Sequence, residues 1–233
     1  MPTLNITPQM LTGRSQQHLC PFSAQHLAHA QMLDAWLALC KAAMVDGISL
    51  QIVSAFRSFE RQAAIWQAKC NGQRPVYNLQ QQIVDITQLS GLKKLEAIML
   101  YSALPGASRH HWGTELDLYD AAAVSSDYQP QLLTTEYQAG GPFARMDAWL
   151  TTNAENFGFF RPYLRYQGGV AAEPWHLSYA PLSQAFLAAF SVETLRQALL
   201  AHPIAEQQCV LSELPYLYQH YVENICDLSK QNR

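Results

Sequence analysis

Four side chains in this sequence have the types and placement of a metallohydrolase centre: His110, Asp117, Glu173 and His176. Such a centre needs two or three neutral or anionic ligands, an open position for water, and a carboxylate outside the metal's ligands to take the water's proton. His110 and Asp117 lie on either side of Gly113, so a loop residue and a strand residue can converge on one ion. Glu173 and His176 share a second block, where Pro174 bends the chain and lets both face one cleft. Two imidazoles and one carboxylate suit zinc better than magnesium or calcium, which prefer oxygen ligands throughout.

Read one at a time, these residues have plainer roles. A lone His110 or His176 is more often a satisfied structural histidine, Asp117 a turn cap and Glu173 a solvated charge. Their joint placement on the cleft side of two strand-like segments argues for chemistry, because polar groups there are costly to bury without a metal or partners. Spacing does not separate His110 from its neighbour His111, which stays a rival ligand.

The elements that must position these residues follow from periodicity. Leu27, Ala30, Leu33, Leu37 and Cys40 are near helical spacing, which predicts a helix from about Ser23 to Met44 with Ser23 as its cap. After Gly47 the stretch from Ile48 to Ser54 alternates as a half-buried strand does. A helix is expected from Ser58 to Cys70, stopped by Asn71-Gly72, followed by a polar, loop-like stretch through Asp85. Another helix is expected from Ser90 to about Tyr101. In the block SRHHWGTELDLYD, Leu116 and Leu118 face the core, while Glu115, Asp117 and Tyr119 face a cleft. The segment from Ala121 to Pro142 has no period and reads as a lid or substrate-lining loop. A helix from Phe143 to Phe157, a strand-like EPWHLSY block and helices from Pro181 onward, broken near His202-Pro203 and Pro215, complete the chain.

With 233 residues, 49% hydrophobic and 14% charged, the sequence can bury one sizeable core, and no linker divides it. A single domain over residues 1–233 is therefore expected. The formal net charge of −3, without basic runs, gives no reason to expect nucleic acid or an anionic membrane as partner. No stretch reads as a secretory signal or a membrane span, and Cys20, Cys40, Cys70, Cys209 and Cys226 show no C-x-x-C pair. They read as free thiols. Together these features point to the cytoplasm and leave the periplasm open.

Three blocks resemble the D-alanyl-D-alanine carboxypeptidases and dipeptidases of the VanY type, which include related LD-carboxypeptidases. Ser54-Ala55-Phe56-Arg57-Ser58 looks like the family's S-G-Y-R-S element, with Gln62 where relatives often carry Gln. The block from Ser108 to Asp117 looks like S-x-H-x-x-G-x-x-x-D, and Glu173-Pro174-Trp175-His176, with Tyr179 downstream, looks like E-P-W-H. The likeness covers roughly Leu50 to Tyr179.

The resemblance implies an α+β fold, a small antiparallel sheet flanked by helices with zinc in a cleft. The family core would be about 50–180 and residues 181–233 a helical C-terminal extension that adds core helices, covers a flank, narrows the cleft or makes a dimer contact. It implies Zn2+ on His110, Asp117 and His176, which decides against His111. It also implies Glu173 as general base and then acid, Arg57 holding substrate and stabilising the tetrahedral intermediate, and Ser108 and Gln62 touching substrate. The implied activity is hydrolysis of peptide bonds in peptidoglycan-related peptides containing D-amino acids, by a carboxypeptidase acting on a small peptide or muropeptide. A D,D-dipeptidase, an L-Ala-D-Glu-type endopeptidase or a silent peptidoglycan-binding module are the alternatives. Phe56 stands where Tyr is usual, and Glu115 where a small residue is usual. That extra charge would raise metal affinity, shape the pocket or select a cationic or amine-bearing substrate. The oligomeric state is not fixed by the sequence.

Overall fold

The computed structural model describes residues 5–226. The expected single domain and its C-terminal extension run past these limits at residues 1–4 and 227–233, which lie outside the described residues. Helices α1 (Pro8–Leu11), α2 (Leu33–Val45), α3 (Phe59–Cys70), α4 (Gly91–Met99), α5 (Thr134–Tyr137), α6 (Ala144–Asn153), α7 (Ala180–Ala189), α8 (Val192–Ala201), α9 (Gln207–Ser212) and α10 (Leu214–Tyr218) surround three small antiparallel sheets. The expected α+β class, an antiparallel sheet flanked by helices, is what the chain forms.

The central sheet has the order β3 (Leu50–Ser54), β6 (Glu115–Asp120), β8 (His176–Tyr179), β7 (Phe159–Phe160). Its register sets the site, because Asp117 pairs with His176 and Glu115 with Ser178. Directly opposed residues of antiparallel strands project to the same face. That face is polar, and the other carries Leu116, Leu118 and Leu177, which join Trp36 and Leu39 of α2 and Met146 and Leu150 of α6 in one core. Between Ile52 and Ser54 the register shifts, so that Ser54 stands opposite Asp117. The strand twists at such a bulge, and the chain leaves it toward Arg57.

A second core joins Trp66 of α3, Leu95 and Ile98 of α4 and Trp112 to Phe186, Leu195, Leu199, Val210, Leu214 and Leu217 of the C-terminal helices. The extension therefore supplies core helices, and within the described residues none of it lines the main cleft. The helical run breaks where expected, α8 ending at Ala201 before His202-Pro203 and α9 at Ser212 before Pro215, which stands in the first turn of α10, where its missing N–H is harmless. The chain beyond α10 presses on residues 162–169: the Cys226 amide donates to the Pro162 carbonyl at 2.7 Å and the Asn224 side chain to the Gln167 carbonyl at 3.0 Å. Gly169 sits so close that a Cβ there would lie 1.9 Å from the His220 carbonyl oxygen.

The structure corrects several sequence expectations. The helix expected from Ser23 starts only at Leu33, because the preceding residues form a hairpin of β1 (Leu19–Pro21) and β2 (Leu27–His29). Ser23 closes its turn, with its hydroxyl 2.9 Å from His26 Nδ1. The stretch expected as loop before Asp85 contains a second hairpin, β4 (Val76–Tyr77) and β5 (Ile83–Val84). The helix expected to reach Phe157 ends as α6 at Asn153 and continues as a 3-10 turn to Gly158, whose φ is +81°. By contrast α3 begins after Ser58, whose hydroxyl accepts from the Arg61 amide, as its cap type requires. All five cysteines are unpaired. No helix of the described residues is long and apolar enough to cross a membrane.

Candidate functional site

The metal-type residues converge from one 3-10 turn and two paired strands. His110 lies in the 3-10 turn Arg109–Trp112, which ends at Gly113 with φ +71°, and Asp117 follows on β6. A Cβ at Gly113 would lie 2.4 Å from Leu19 and 3.1 Å from the His29 backbone nitrogen, so the turn has no room for a side chain. Glu173 and Pro174 make a turn whose His176 amide donates to the Glu173 carbonyl at 3.0 Å, at the start of β8.

Ligand atoms of His110, Asp117 and His176 lie within 4.8 Å of one another, and all three residues are buried. Asp117 is the hub: one carboxylate oxygen is 3.2 Å from His110 Nε2 and the other 3.0 Å from His176 Nδ1. His110 Nδ1 is 2.8 Å from the Ala55 carbonyl, to which it donates, leaving Nε2 for the cleft. His111 has no such freedom. Its Nδ1 donates to the Arg57 carbonyl at 2.6 Å and its Nε2 accepts from the Gly106 amide at 3.0 Å, so both ring nitrogens are spent on backbone.

Burial opposes charge on all these groups, and their mutual attractions decide the outcome. Asp117 is held well below the ordinary carboxylate range, because the charges and hydrogen bonds of His110 and His176 outweigh burial. His176 is pushed up, since the bonds and charges of Asp117 and Glu115 likewise outweigh burial. Glu115 is pulled down to about 2 by Arg109, His176 and Ser178 in spite of burial. Glu173 goes the other way: burial, with the Asp117 charge adding to it, raises its carboxyl to about 7. It lies 3.7 Å from His176 Nδ1 and keeps an open side toward the cleft.

Glu115 sits behind the site. Its Oε2 is 2.8 Å from His176 Nε2, and its Oε1 accepts from Arg109 at 3.2 Å, Thr114 at 2.9 Å and Ser178 at 2.8 Å. Fully buried and saturated, it is closed to substrate, which removes the cationic-substrate expectation and leaves the outer nitrogen of His176 as what it holds.

Arg57 is strapped in place. Its guanidinium donates to Gln62 Oε1 at 2.8 Å and Ser54 Oγ at 3.1 Å and stands 3.9 Å from Asp117. Gln62, expected to touch substrate, is fully buried and outside the cleft lining, with its amide nitrogen given to the Ala103 carbonyl at 2.6 Å; it positions Arg57 instead. Arg57, Ser108, His110, Asp117, Glu173 and His176 all line one cleft of about 340 Å³. Sequence reasoning missed its other walls, including Lys69, Arg74, Tyr77, Tyr101 and Tyr163, which tertiary folding alone brings there. Gln131, Leu132 and Leu133 line it too, from within the loop expected to do so. That loop is tied by Glu136, whose carboxylate accepts from the Tyr128 hydroxyl at 2.6 Å and the Gln131 and Leu133 amides at 3.1 and 3.0 Å. Tyr179 packs on Phe159 and lies outside the lining.

The fold and this cleft define a small α+β protein with a His-Asp-His centre and a carboxylate beside it. A family model described as VanY, D-alanyl-D-alanine carboxypeptidase, matches residues 25–182, and the chain belongs to that peptidase family. An uncharacterized protein of Haemophilus influenzae is 36% identical over 121 residues, 51% of this chain and 92% of that one. A second from the same organism is 39% identical over 105 residues, covering 43% of this chain and 72% of its own. Among solved structures, VanYB in complex with D-alanine-D-alanine is similar at a TM-score of 0.52 and 20% identity, over 79% of this chain and 88% of that one. A mutant of the vancomycin-resistance D,D-pentapeptidase VanY in complex with Zn(II) gives 0.51 and 19%, over 84% and 92%. At such identities the likeness is one of fold.

Proposed function

We propose that this protein is a zinc-dependent peptidase of the carboxypeptidase type that hydrolyses peptide bonds in peptidoglycan-related peptides containing D-amino acids. The observation that carries this reading is the convergence of His110, Asp117 and His176 on one point, beside Glu173 and Arg57, in an open cleft. The donor set fits zinc: two imidazoles with their other nitrogens held by a carbonyl and a carboxylate, and one carboxylate aimed at both. His110 Nε2, Asp117 and His176 Nδ1 would hold the ion. When bound, zinc supplies an acidified water and polarises the scissile carbonyl.

The chain's own groups account for the rest. Glu173 accepts the water's proton at its carboxylate and returns it to the leaving amine, a role served by a pKa near the working pH. Arg57, fixed by Gln62 and Ser54, offers its positive charge to the oxyanion that develops at the carbonyl. Ser108, on the cleft wall, hydrogen-bonds substrate.

The test is incubation of the zinc-loaded protein with D-Ala-D-Ala, with a tripeptide ending in it, and with a tetrapeptide muropeptide stem, with products read by mass with and without chelator. Chelator-sensitive release of D-Ala supports the reading, and the substrate that is cut separates carboxypeptidase from dipeptidase. Cleavage at an L-Ala-D-Glu bond would replace it with the endopeptidase, and binding without cleavage with a silent module. We carry the cytoplasmic placement as a further proposal, checked by fractionating cells that express the native gene.

A further inference from the structure

Seven large apolar side chains stand exposed among the described residues, and three of them, Leu37, Met44 and Val45, belong to α2. Single exposed apolar residues are ordinary on a protein surface, whereas a contiguous run of them marks a surface that meets a partner. At about 3.6 residues per turn, Asp34, Leu37, Ala38, Lys41, Met44 and Val45 share one stripe along the helix, and all six are exposed. Trp36, Leu39 and Ala43 face the opposite way, into the core against the sheet. With only two charges in 13 residues, α2 is apolar on its outward as well as its inward side, which is the composition of a buried helix.

The two charges say what covers the outward side. Asp34 and Lys41 are opposite in sign and seven residues apart, about 10 Å along the axis, too far to pair with each other. When two copies of α2 pack antiparallel about a two-fold axis between Leu37 and Ala38, Asp34 of one protomer lies opposite the partner's Lys41, and the contact occurs twice. The same register sets Leu37 against the partner's Ala38, large against small, so that the helix axes can come close. It also lays Met44 and Val45 over the partner's Gln31 and Ala30, which are exposed as well. Asp46, just beyond α2, is already engaged within the chain: its carboxylate accepts from the Trp149 indole at 2.6 Å and its carbonyl from Arg145.

We propose that the outward face of α2 is a self-association surface, through which two copies of this chain form an antiparallel, two-fold dimer. α2 packs on the side of the central sheet away from the polar face, and none of its residues lines the cleft, so the dimer leaves both clefts open. The inference is independent of the peptidase reading. A helix about 20 Å long and about 10 Å wide supplies less than the roughly 800 Å² per partner of a standard interface, which makes this dimer a concentration-dependent one.

Sedimentation equilibrium of the full chain at low salt, over a wide range of concentration, tests it. The parent should move from 26.2 kDa toward twice that mass as concentration rises. Lys41→Glu, which places two like-charge pairs in the interface, should weaken the dimer about tenfold, and Asp34→Lys should do the same. The double reversal Asp34→Lys/Lys41→Glu should restore it, which only direct opposition of the two positions across the axis achieves. Leu37→Asp should give a monomer, and circular dichroism matching the parent's shows that each variant is folded. A parent that is monomeric at every concentration, a dimer that Leu37→Asp leaves intact, or a double reversal as weak as the single variants overturns the proposal. So does a monomer that cosediments with phosphatidylcholine vesicles, which would give the face to a membrane instead.

Discussion

At the scale of single residues, Asp117 organises the site by touching both histidines, and the division of labour around it yields three expectations. Glu173→Gln should lower turnover by about 10²–10⁴-fold, the usual share of a general base, while zinc content measured by mass spectrometry stays at the parent level. Loss of zinc in that variant would remove Glu173 from the proton-transfer role. Glu115→Gln should weaken zinc binding by about 10–100-fold, as removal of an outer partner of a ligating histidine does; competition against a chromogenic chelator measures it. The third concerns pH. In the metal-free protein the Glu173 carboxyl binds its proton more tightly folded, at about 7, than at its ordinary value of 4.5. The folded state thus holds more protons between these values, and this contribution to stability is full below 4.5 and lost as pH rises through about 7. Melting temperatures of parent and Glu173→Gln, compared across that window, should lie at a constant offset below pH 4.5 and separate as pH rises, the parent falling relative to the variant, whose amide stays neutral; parallel curves throughout would contradict the assignment.

At the scale of elements, two paired strands and one glycine turn hold the geometry. Gly113→Ala should destabilise the protein by more than about 1 kcal/mol, since a left-handed turn strains an alanine and its methyl group meets Leu19 and the His29 backbone. Denaturant melts report it. The elements also show what was legible beforehand. The alternation of Glu115 to Tyr119 and the helical run capped by Ser58 were visible because each signal is local. The β1–β2 hairpin was hidden because Leu27 and Ala30 happen to continue the spacing of α2. Strands of two residues, such as β4, β5 and β7, are too short to show a period. Likewise the candidate ligands announce themselves in compact blocks. Lys69, Arg74 and Tyr163 carry no local mark, and Gln62 could be placed near the site by its block but not assigned to Arg57 instead of substrate.

At the scale of the whole molecule, the two hydrophobic cores are built on apolar side chains from both sides of the sheet and from the C-terminal helices, apart from His110, Asp117 and His176. Chelation should therefore leave a cooperatively folded protein, with excess zinc adding stability by mass action, about 2.7 kcal/mol at a hundredfold excess over Kd. Calorimetric unfolding with and without chelator decides this, and a chelated protein without a cooperative transition would show that the centre is needed for folding. The C-terminal stretch pressed on residues 162–169 has a different consequence. Those residues include Tyr163, whose carbonyl accepts from the Glu173 amide at 2.9 Å. The stretch 224–226 is thus tied, through residues 162–169, to the backbone that carries Glu173. An Asn224→Ala variant, which cuts one of those ties, is expected to keep the parent's zinc content and differ in rate, as metal analysis beside a turnover assay would show.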